Sequence, residues 1–446
     1  MTVSVRVAEC DDDLLEAARI DLTAFGLPLP RTPRAVESFE RSLTWRRRTT
    51  TYLAELDGRA VGTARVYDMD LSTPGGMALG VSGIGDLGVL PGSRGSGVLR
   101  ALVARMLDDA RVREHAGAVL YASEATIYGR FGFGPATRAR RVSIPVVRAA
   151  LRADVSVAAG RTEVLDAPEW FEVLPDLYER CATRRAGEVS RGPELWPDVL
   201  SGTGRAPGAG PGEWETTPGA DGRFCMLHRN PEGVAVAYGL YSIRESWEPV
   251  GPAHAMTVHE MLAVDTASEL ALWRALFAMS LVQHVDAWIP VDSPLLNALE
   301  DRWAPSVSGE HDKLWMRIVD PVTALSTRRY RAAGEVVVTL TDGGPVGEPV
   351  TVDLSVTAAD GVGARTSATK SAIVKSTSWP TAETTGTGQR KIARATRSSL
   401  KQNRSATEPP PRPTISTSTC GASRSIASAI WAGACGPCTA QWATRI

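Results

Sequence analysis

Apolar residues over the first 140 positions follow two different periods. Val3, Val5 and Val7 alternate with polar neighbours, which predicts a strand, and residues 11–24 have the wider spacing of a helix. Tyr52–Leu56 and Ala60–Val66 are strand-like runs flanking Asp57-Gly58, a pair suited to a tight hairpin turn. A strand at Leu87–Leu90 and a helix from about Gly97 to Ala110 follow. In that helix Val98, Leu99, Leu102, Met106, Leu107 and Ala110 recur three and four residues apart, giving one apolar face. A strand at Val119–Ala122 closes the series.

Residues 160–295 repeat this plan. Phe224–Leu227 and Val234–Ser242 flank a turn at Asn230-Pro231-Glu232-Gly233, and a strand near Met256–Val264, a helix near Ser268–Leu281 and a strand at Ala287–Val291 come next. The Gly/Pro-rich stretch between Leu200 and Asp221 reads as a mobile loop. A third unit begins at 312–360, with strands at Leu314–Ile318 and Glu335–Thr341 around a short helix near Val322–Arg329. Past Asp360 the pattern collapses. Leu400 is the only leucine in the last 86 residues and neither Phe nor Tyr occurs there, so the segment reads as disordered. With GC-rich codons assumed, a shifted frame through Pro413–Cys420 spells Asp-Asp-Leu-Asp-Leu-Asp-Val, a normal alternating strand. That motivates the hypothesis of a frameshifted tail, which the nucleotide sequence tests.

Composition narrows the class. At 446 residues two or three domains are expected, and 43% hydrophobic with 22% charged residues fits a soluble protein. No run approaches a membrane span, and the opening residues, with Asp11, Asp12 and Asp13, show no secretory pattern. Six scattered cysteines suit a reducing compartment, so a cytoplasmic location is expected. The net charge of −1 conceals an asymmetry: twelve Lys/Arg against two acids follow Asp360, leaving an acidic body. Such a field favours cationic small molecules or peptides over nucleic acid, and no membrane partner is expected.

Chemistry concentrates at two places. Pro91-Gly92-Ser93-Arg94-Gly95-Ser96-Gly97-Val98-Leu99-Arg100 stands between a strand and an amphipathic helix, and fits the R-x-x-G-x-x start of a coenzyme A pyrophosphate loop. Glycines let backbone N–H groups close on phosphates, while the helix N-terminus and Arg94 or Arg100 supply favourable charge. Leu87, Gly88 and Val89 would pair through their backbone with a pantetheine arm, and an N–H there could stabilise an oxyanion. Gly88 points to a close backbone approach or a bulge. One strand later stands Tyr128, whose phenol, protonated at neutral pH, can protonate a departing thiolate. The scattered histidines and the lone His259-Glu260 pair predict no metal site, and Cys435-Gly436-Pro437-Cys438 lacks the helical context of a redox motif. Arg46-Arg47-Arg48 reads as a solvated charge run.

Residues 123–137, Ser-Glu-Ala-Thr-Ile-Tyr-Gly-Arg-Phe-Gly-Phe-Gly-Pro-Ala-Thr, resemble the signature of the Eis (enhanced intracellular survival) acetyltransferases. The Leu99-Arg100-Ala101-Leu102 helix start, Thr257-Val258-His259-Glu260 and Trp315-x-Arg317-x-x-Asp320 are similar to that family too. The resemblance spans about residues 1–358. It implies an α/β chain of two tandem GNAT (acyl-CoA N-acyltransferase) domains, then an incomplete sterol-carrier-like α+β domain and the tail, with boundaries at 1–150, 151–300, 301–360 and 361–446. It further implies a homohexamer and acetyl transfer from acetyl-CoA to amines of aminoglycosides or lysines. Acetyl-CoA would contact Leu87–Val89, Arg94–Arg100, Ser123 and Glu124, and Tyr128 would be the general acid. In the second module Asp265-Thr266-Ala267-Ser268 replaces the cofactor loop, so no coenzyme A is expected there. Asp292 and Glu124 are candidate cation-attracting wall residues.

The chain also departs from the family. Ala125-Thr126 replaces a Gly-Gly pair, which is expected to narrow the path to the thioester. The family's general base is the terminal carboxylate following an aromatic ending, whereas this chain ends Ala443-Thr444-Arg445-Ile446. A catalytically impaired coenzyme A-binding scaffold is therefore the rival expectation, with a lipid carrier third.

Overall fold

Two seven-stranded sheets organise the chain. The structure, a computed structural model, describes residues 2–330 except 28, 31–35, 37–42, 194 and 201–221, and beyond them the backbone of three strands. The Gly/Pro-rich loop, the proposed out-of-frame stretch, Cys435–Cys438 and Ile446 all lie outside the described residues.

The first sheet opens with β1 (Val3–Val7), β2 (Thr50–Leu56), β3 (Arg59–Ser72), β4 (Ala78–Val89) and β5 (Gly117–Tyr121). Helix α1 (Asp11–Ala24) and the short α2 (Leu43–Arg46) lie between β1 and β2, and α3 (Val98–Val112) links β4 to β5. The crossover makes β4 and β5 parallel, and the other pairs of this sheet are antiparallel. As the spacing predicts, α3 buries Val98, Leu102, Met106, Leu107 and Ala110, joined by Val103, against Tyr52, Val66, Ile84 and Leu120. Leu99, predicted on the same face, packs at its margin and is half-buried. Each fully buried large side chain here contributes roughly 1.5–3 kcal/mol.

Short α4 (Ala125–Tyr128) and β6 (Gly134–Pro135) lead to β7 (Arg138–Pro145), which leaves for the second sheet. That sheet continues with β8 (Arg161–Leu165), β9 (Arg223–Arg229), β10 (Ala235–Arg244), β13 (His254–Ala263), β14 (Val282–Pro290) and β15 (Ser306–Asp312), in the order β15-β7-β14-β13-β10-β9-β8. A two-stranded ribbon, β11 (Trp247–Glu248) and β12 (Gly251–Pro252), interrupts the run. Helices α5 (Trp170–Ala182) and α6 (Trp196–Leu200) precede β9; α7 (Thr266–Phe277) is the β13–β14 crossover, and α8 (Leu295–Ala298) precedes β15. Here too the crossover pair, β13 and β14, is the parallel one.

Then β16 (Leu314–Ile318) returns to the first sheet and inserts between β5 and β6. The sequence reading assigns Leu314–Ile318 to a third unit; its apolar residues instead complete the first sheet, pairing with Gly117–Tyr121 on one side and Gly134–Pro135 on the other. Each sheet thus holds one strand from the other half of the chain, so the sheets do not divide at residue 150. After α9 (Pro321–Thr327), β17 (Gly334–Leu340), β18 (Val350–Thr357) and β19 (Arg365–Lys370) form a three-stranded antiparallel sheet. β19 lies within the stretch expected as a disordered tail from residue 361, and it pairs along its length with β18.

Candidate acyl-CoA site

In β4 one ladder ends early. β4 pairs with β5 only at Val81–Gly83 opposite Gly117–Val119, while β4 itself runs on to Val89. Residues 84–89 therefore keep β3 on one side and leave a wedge on the side of β5. At the wedge β4 carries one extra residue, between the pairs Thr63–Gly88 and Arg65–Gly85. Asp86 lies in this bulge with φ of 47°, a left-handed angle that aspartate tolerates better than most residues. Its buried carboxylate meets Arg46 Nη1 at 3.1 Å and Arg65 Nη2 at 2.7 Å. Arg46 is thus partly buried against Asp86 and not part of a solvated run, whereas Arg47 is exposed and pairs with Asp11.

Gly88 follows the bulge, as its sequence context predicts, but the close approach is to a helix. A Cβ at Gly88 would stand 2.8 Å from the Cβ of Ala24 at the end of α1.

The wedge opens into a cavity of about 540 Å³. Leu87, Gly88 and Val89 line one wall; Arg94, Gly95, Gly97, Val98, Leu99 and Arg100 line the next; Ser123, Glu124 and Tyr128 line the third. Every site residue expected from the sequence faces the cavity except Ser96, which is half-buried in the same loop. Sequence reasoning missed Phe25 at the end of α1 and Arg130 and Phe131 just past Tyr128. Arg130 was within the quoted motif, and its position beside Tyr128 was the available signal. Asp292 is not among the lining residues; it is exposed and pairs with Arg185 at 3.2 Å. Ala125 and Thr126 are exposed on α4 and are not among the lining residues either.

The loop suits an anion. Helix α3 starts from Gly97 at φ of 86°, and Gly95 has φ of 83°; L side chains rarely adopt either angle. A Cβ at either glycine would meet open space, so the concavity is free on the cavity side. No side chain caps α3, and the first N–H groups of any α-helix have no partner within it. Those groups, the positive end of the helix and the exposed Arg94 and Arg100 fit a pyrophosphate.

The corresponding place in the second sheet is closed. Beyond the pair Val258–Ala287 the parallel strands β13 and β14 also part, but only about 10 Å³ remains between them, room for about one water. Trp273, Trp288, Glu260 and Glu269 fill that wedge. Helix α7 is capped by its own Asp265, whose carboxylate accepts from Ser268 N at 2.7 Å. An aspartate thus occupies the end of the helix that a phosphate would need.

Tyr128 ends α4 and is buried at the cavity wall, its ring edge-on to Phe133 at 6.2 Å between centroids. Burial raises its pKa above the ordinary phenol value; the neighbouring Ser123 hydroxyl pulls the other way, and the Glu124 carboxylate adds to the rise. The phenol is accordingly a proton holder at neutral pH. Among the described residues no cluster of three or more His, Cys, Asp or Glu side chains could hold a metal ion.

Residues 4–136 match a family model described as an acetyltransferase (GNAT) domain, and residues 187–318 match a second model of the same description. An uncharacterized N-acetyltransferase of Streptomyces avermitilis is 31% identical over 348 residues, covering 77% of this chain and 80% of its own. The N-acetyltransferase Eis of Mycobacterium tuberculosis is 30% identical over 290 residues, 64% of this chain and 67% of its own. This chain belongs to the Eis family of GNAT N-acetyltransferases. The crystal structure of Eis1 from Mycobacterium abscessus superposes with a TM-score of 0.62 at 28% identity, over 76% of this chain and 80% of that one. A GCN5-related N-acetyltransferase from Anabaena variabilis, at 15% identity and a TM-score of 0.64, shares the fold. This Eis-family chain is thus an acyltransferase that uses an acyl-CoA, built of two tandem GNAT domains. No helix of the described residues is long and apolar enough to cross a membrane.

Proposed function

We propose that this chain moves an acetyl group from acetyl-CoA to a primary amine of a cationic acceptor, of the aminoglycoside or lysine type, in the cavity of residues 1–150. The observation that carries the reading is the meeting, in one cavity, of an uncapped helix N-terminus, a stretch of strand left open on one side and a buried phenol. The thioester supplies the activated acetyl group and a sulfur that must leave with a proton. Gly95–Arg100 hold the pyrophosphate through backbone N–H groups, and Arg94 and Arg100 add charge. Backbone N–H groups at Leu87–Val89 bind the pantetheine arm and face the developing oxyanion. The amine attacks in its neutral form and sheds its proton to solvent as the amide forms, while Tyr128, beside Ser123 on the cavity wall, gives its own proton to the leaving sulfur. Glu124, exposed at the rim, attracts a cationic amine.

The module of residues 151–300 shapes the acceptor side without a cofactor of its own, consistent with its filled wedge and its Asp265 cap. A homohexamer in the cytoplasm and a sterol-carrier-like domain over 301–360 belong to the same family-based reading. The names of the relatives, N-acetyltransferase among them, support amine acetylation.

Incubating the full chain with acetyl-CoA and an aminoglycoside, and following thiol release, tests the activity. Tyr128→Phe is expected to lower kcat by about 10²–10⁴-fold, with calorimetric acetyl-CoA affinity little changed. Undiminished turnover in that variant removes Tyr128 from the chemistry.

A further inference from the structure

The loop that carries Tyr128 joins two strands that are not neighbours. It leaves β5 at Tyr121 and rejoins the sheet at β6, and β16 fills the gap between them. From β16 Arg317, buried and opposite Ala118 in β5, reaches the loop and donates from Nη1 to the carbonyl of Phe131. Between Tyr128 and that carbonyl the backbone makes a single tight turn, Gly129–Phe131, closed by Gly132 N to Gly129 O at 3.0 Å. Phe133 N returns to Tyr128 O at 3.3 Å. The last two bonds are local and shape the turn, whereas the bond from Arg317 ties it to the sheet. Further along, β6 pairs with Trp315 and Met316, and Trp315 packs in the same core as Tyr128 and Phe131.

We infer that Arg317 is a positioning residue for Tyr128: its guanidinium, carried by a strand from the far half of the chain, fixes the turn after the tyrosine and so sets where the phenol stands in the cavity. The inference rests on the proposed role of Tyr128. The physical basis is that a charged, five-donor guanidinium bonds a carbonyl more strongly than a neutral donor does. Its planar group is anchored in a strand paired on both sides, so the turn is referred to the sheet and not to the solvent. Displacing a reacting group by about 1 Å can cost 10²-fold in rate, and the Phe131 carbonyl is three residues from the phenol-bearing position.

The full chain as Arg317→Met is expected to lose about 10²-fold in kcat, with the KM for acetyl-CoA within twofold of the parent, because Arg317 is not among the residues that line the cavity. Arg317→Lys, which keeps a cationic donor on a strand-borne stem, is expected to recover part of that kcat; it also carries the test if the Met variant does not fold. Placed in a Tyr128→Phe background, either change should lower kcat by less than threefold, since a residue acting through Tyr128 has nothing left to position. Unchanged kcat in both single variants, or a full-size additional loss in the Tyr128→Phe background, overturns the inference. A rise in KM equal to the fall in kcat/KM overturns it as well, by showing a binding role. Full activity of Tyr128→Phe alone instead overturns the reading of Tyr128, and the two failures are thereby told apart.

Discussion

In the proposed reaction Tyr128 serves as the acid only while it keeps its proton, and its surroundings decide how long that lasts. The phenol is active protonated, and burial disfavours the phenolate, so the active form persists to higher pH than for a free tyrosine. The alkaline limb of kcat is therefore expected above the ordinary phenol value of 10, measured as a pH–rate profile, and absent from Tyr128→Phe. A limb near neutrality that survives in that variant would belong to another group. Asp86 works at the same scale. Asp86→Ala takes the carboxylate from two partly buried guanidinium groups, at a cost of about 3 kcal/mol, which a denaturant melt measures. Turnover should fall with it, because the bulge aims the backbone of Leu87–Val89. The cavity walls at Tyr128 and at Arg94–Arg100 were legible in the sequence, since both lie in short motifs whose residues stay together in space. Asp86, Arg46 and Arg65 were not, because a bulge and a pairing across three elements leave no local spacing to read.

At the scale of elements, hydrophobic period is informative where one face is buried and the other is wet. Helices α1 and α3 announce themselves in this way, whereas α7 is buried nearly all round and the hairpin of β2 and β3 is marked by its Asp57-Gly58 turn, with β3 running on to Ser72. β7 and β15 do not announce themselves by period. Arginines at 138, 140 and 141 interrupt the alternation of Ala139, Val142 and Ile144, and β15, Ser-Val-Ser-Gly-Glu-His-Asp, is an edge strand exposed along most of its length. The two crossover helices show how a small difference at one position divides two similar modules. Gly97 leaves the start of α3 open, while Asp265 closes the start of α7 with its own carboxylate. Asp265→Ala is expected to cost about 1 kcal/mol of stability, seen as a lower Tm. Calorimetry should still find one acetyl-CoA per chain, because Trp273 and Glu260 fill the wedge beyond the helix. A second bound equivalent would mean that the cap alone had kept the cofactor out.

Across the whole molecule the two modules are tied by exchange as well as by contact. β7 goes to the second sheet and β16 comes to the first; the strip Gly187–Ser190 is stitched to the end of β3 by Gly187 N to Ser72 O at 2.7 Å, Ser72 N to Glu188 O at 2.8 Å and Ser190 N to Asp70 O at 2.7 Å. One core cluster mixes Tyr67, Met69 and Val119 of the first half with Val189, Leu314 and Met316 of the second. None of this was legible in the sequence, because periodicity records which face a residue shows and not which distant strand pairs with it. Just past the strip, Arg191 is buried against Glu260 at 2.7 Å and lies 3.9 Å over the ring of Tyr178, a fixed point on the second module's side. Exchange of this kind makes each half a poor folding unit. A chain of residues 1–150 would keep the cofactor loop and Tyr128 but lose the strand between β5 and β6, and would expose β7 with no sheet to join. Leu314, Trp315 and Met316 alone are worth roughly 1.5–3 kcal/mol each, against a whole-domain margin of about 5–15 kcal/mol. That fragment is expected to show no cooperative thermal transition by circular dichroism and no heat on titration with acetyl-CoA, although the contacts assigned to the ligand lie within it. A fragment that melted cooperatively and bound the ligand would show that β16 completes the sheet without being required for the site.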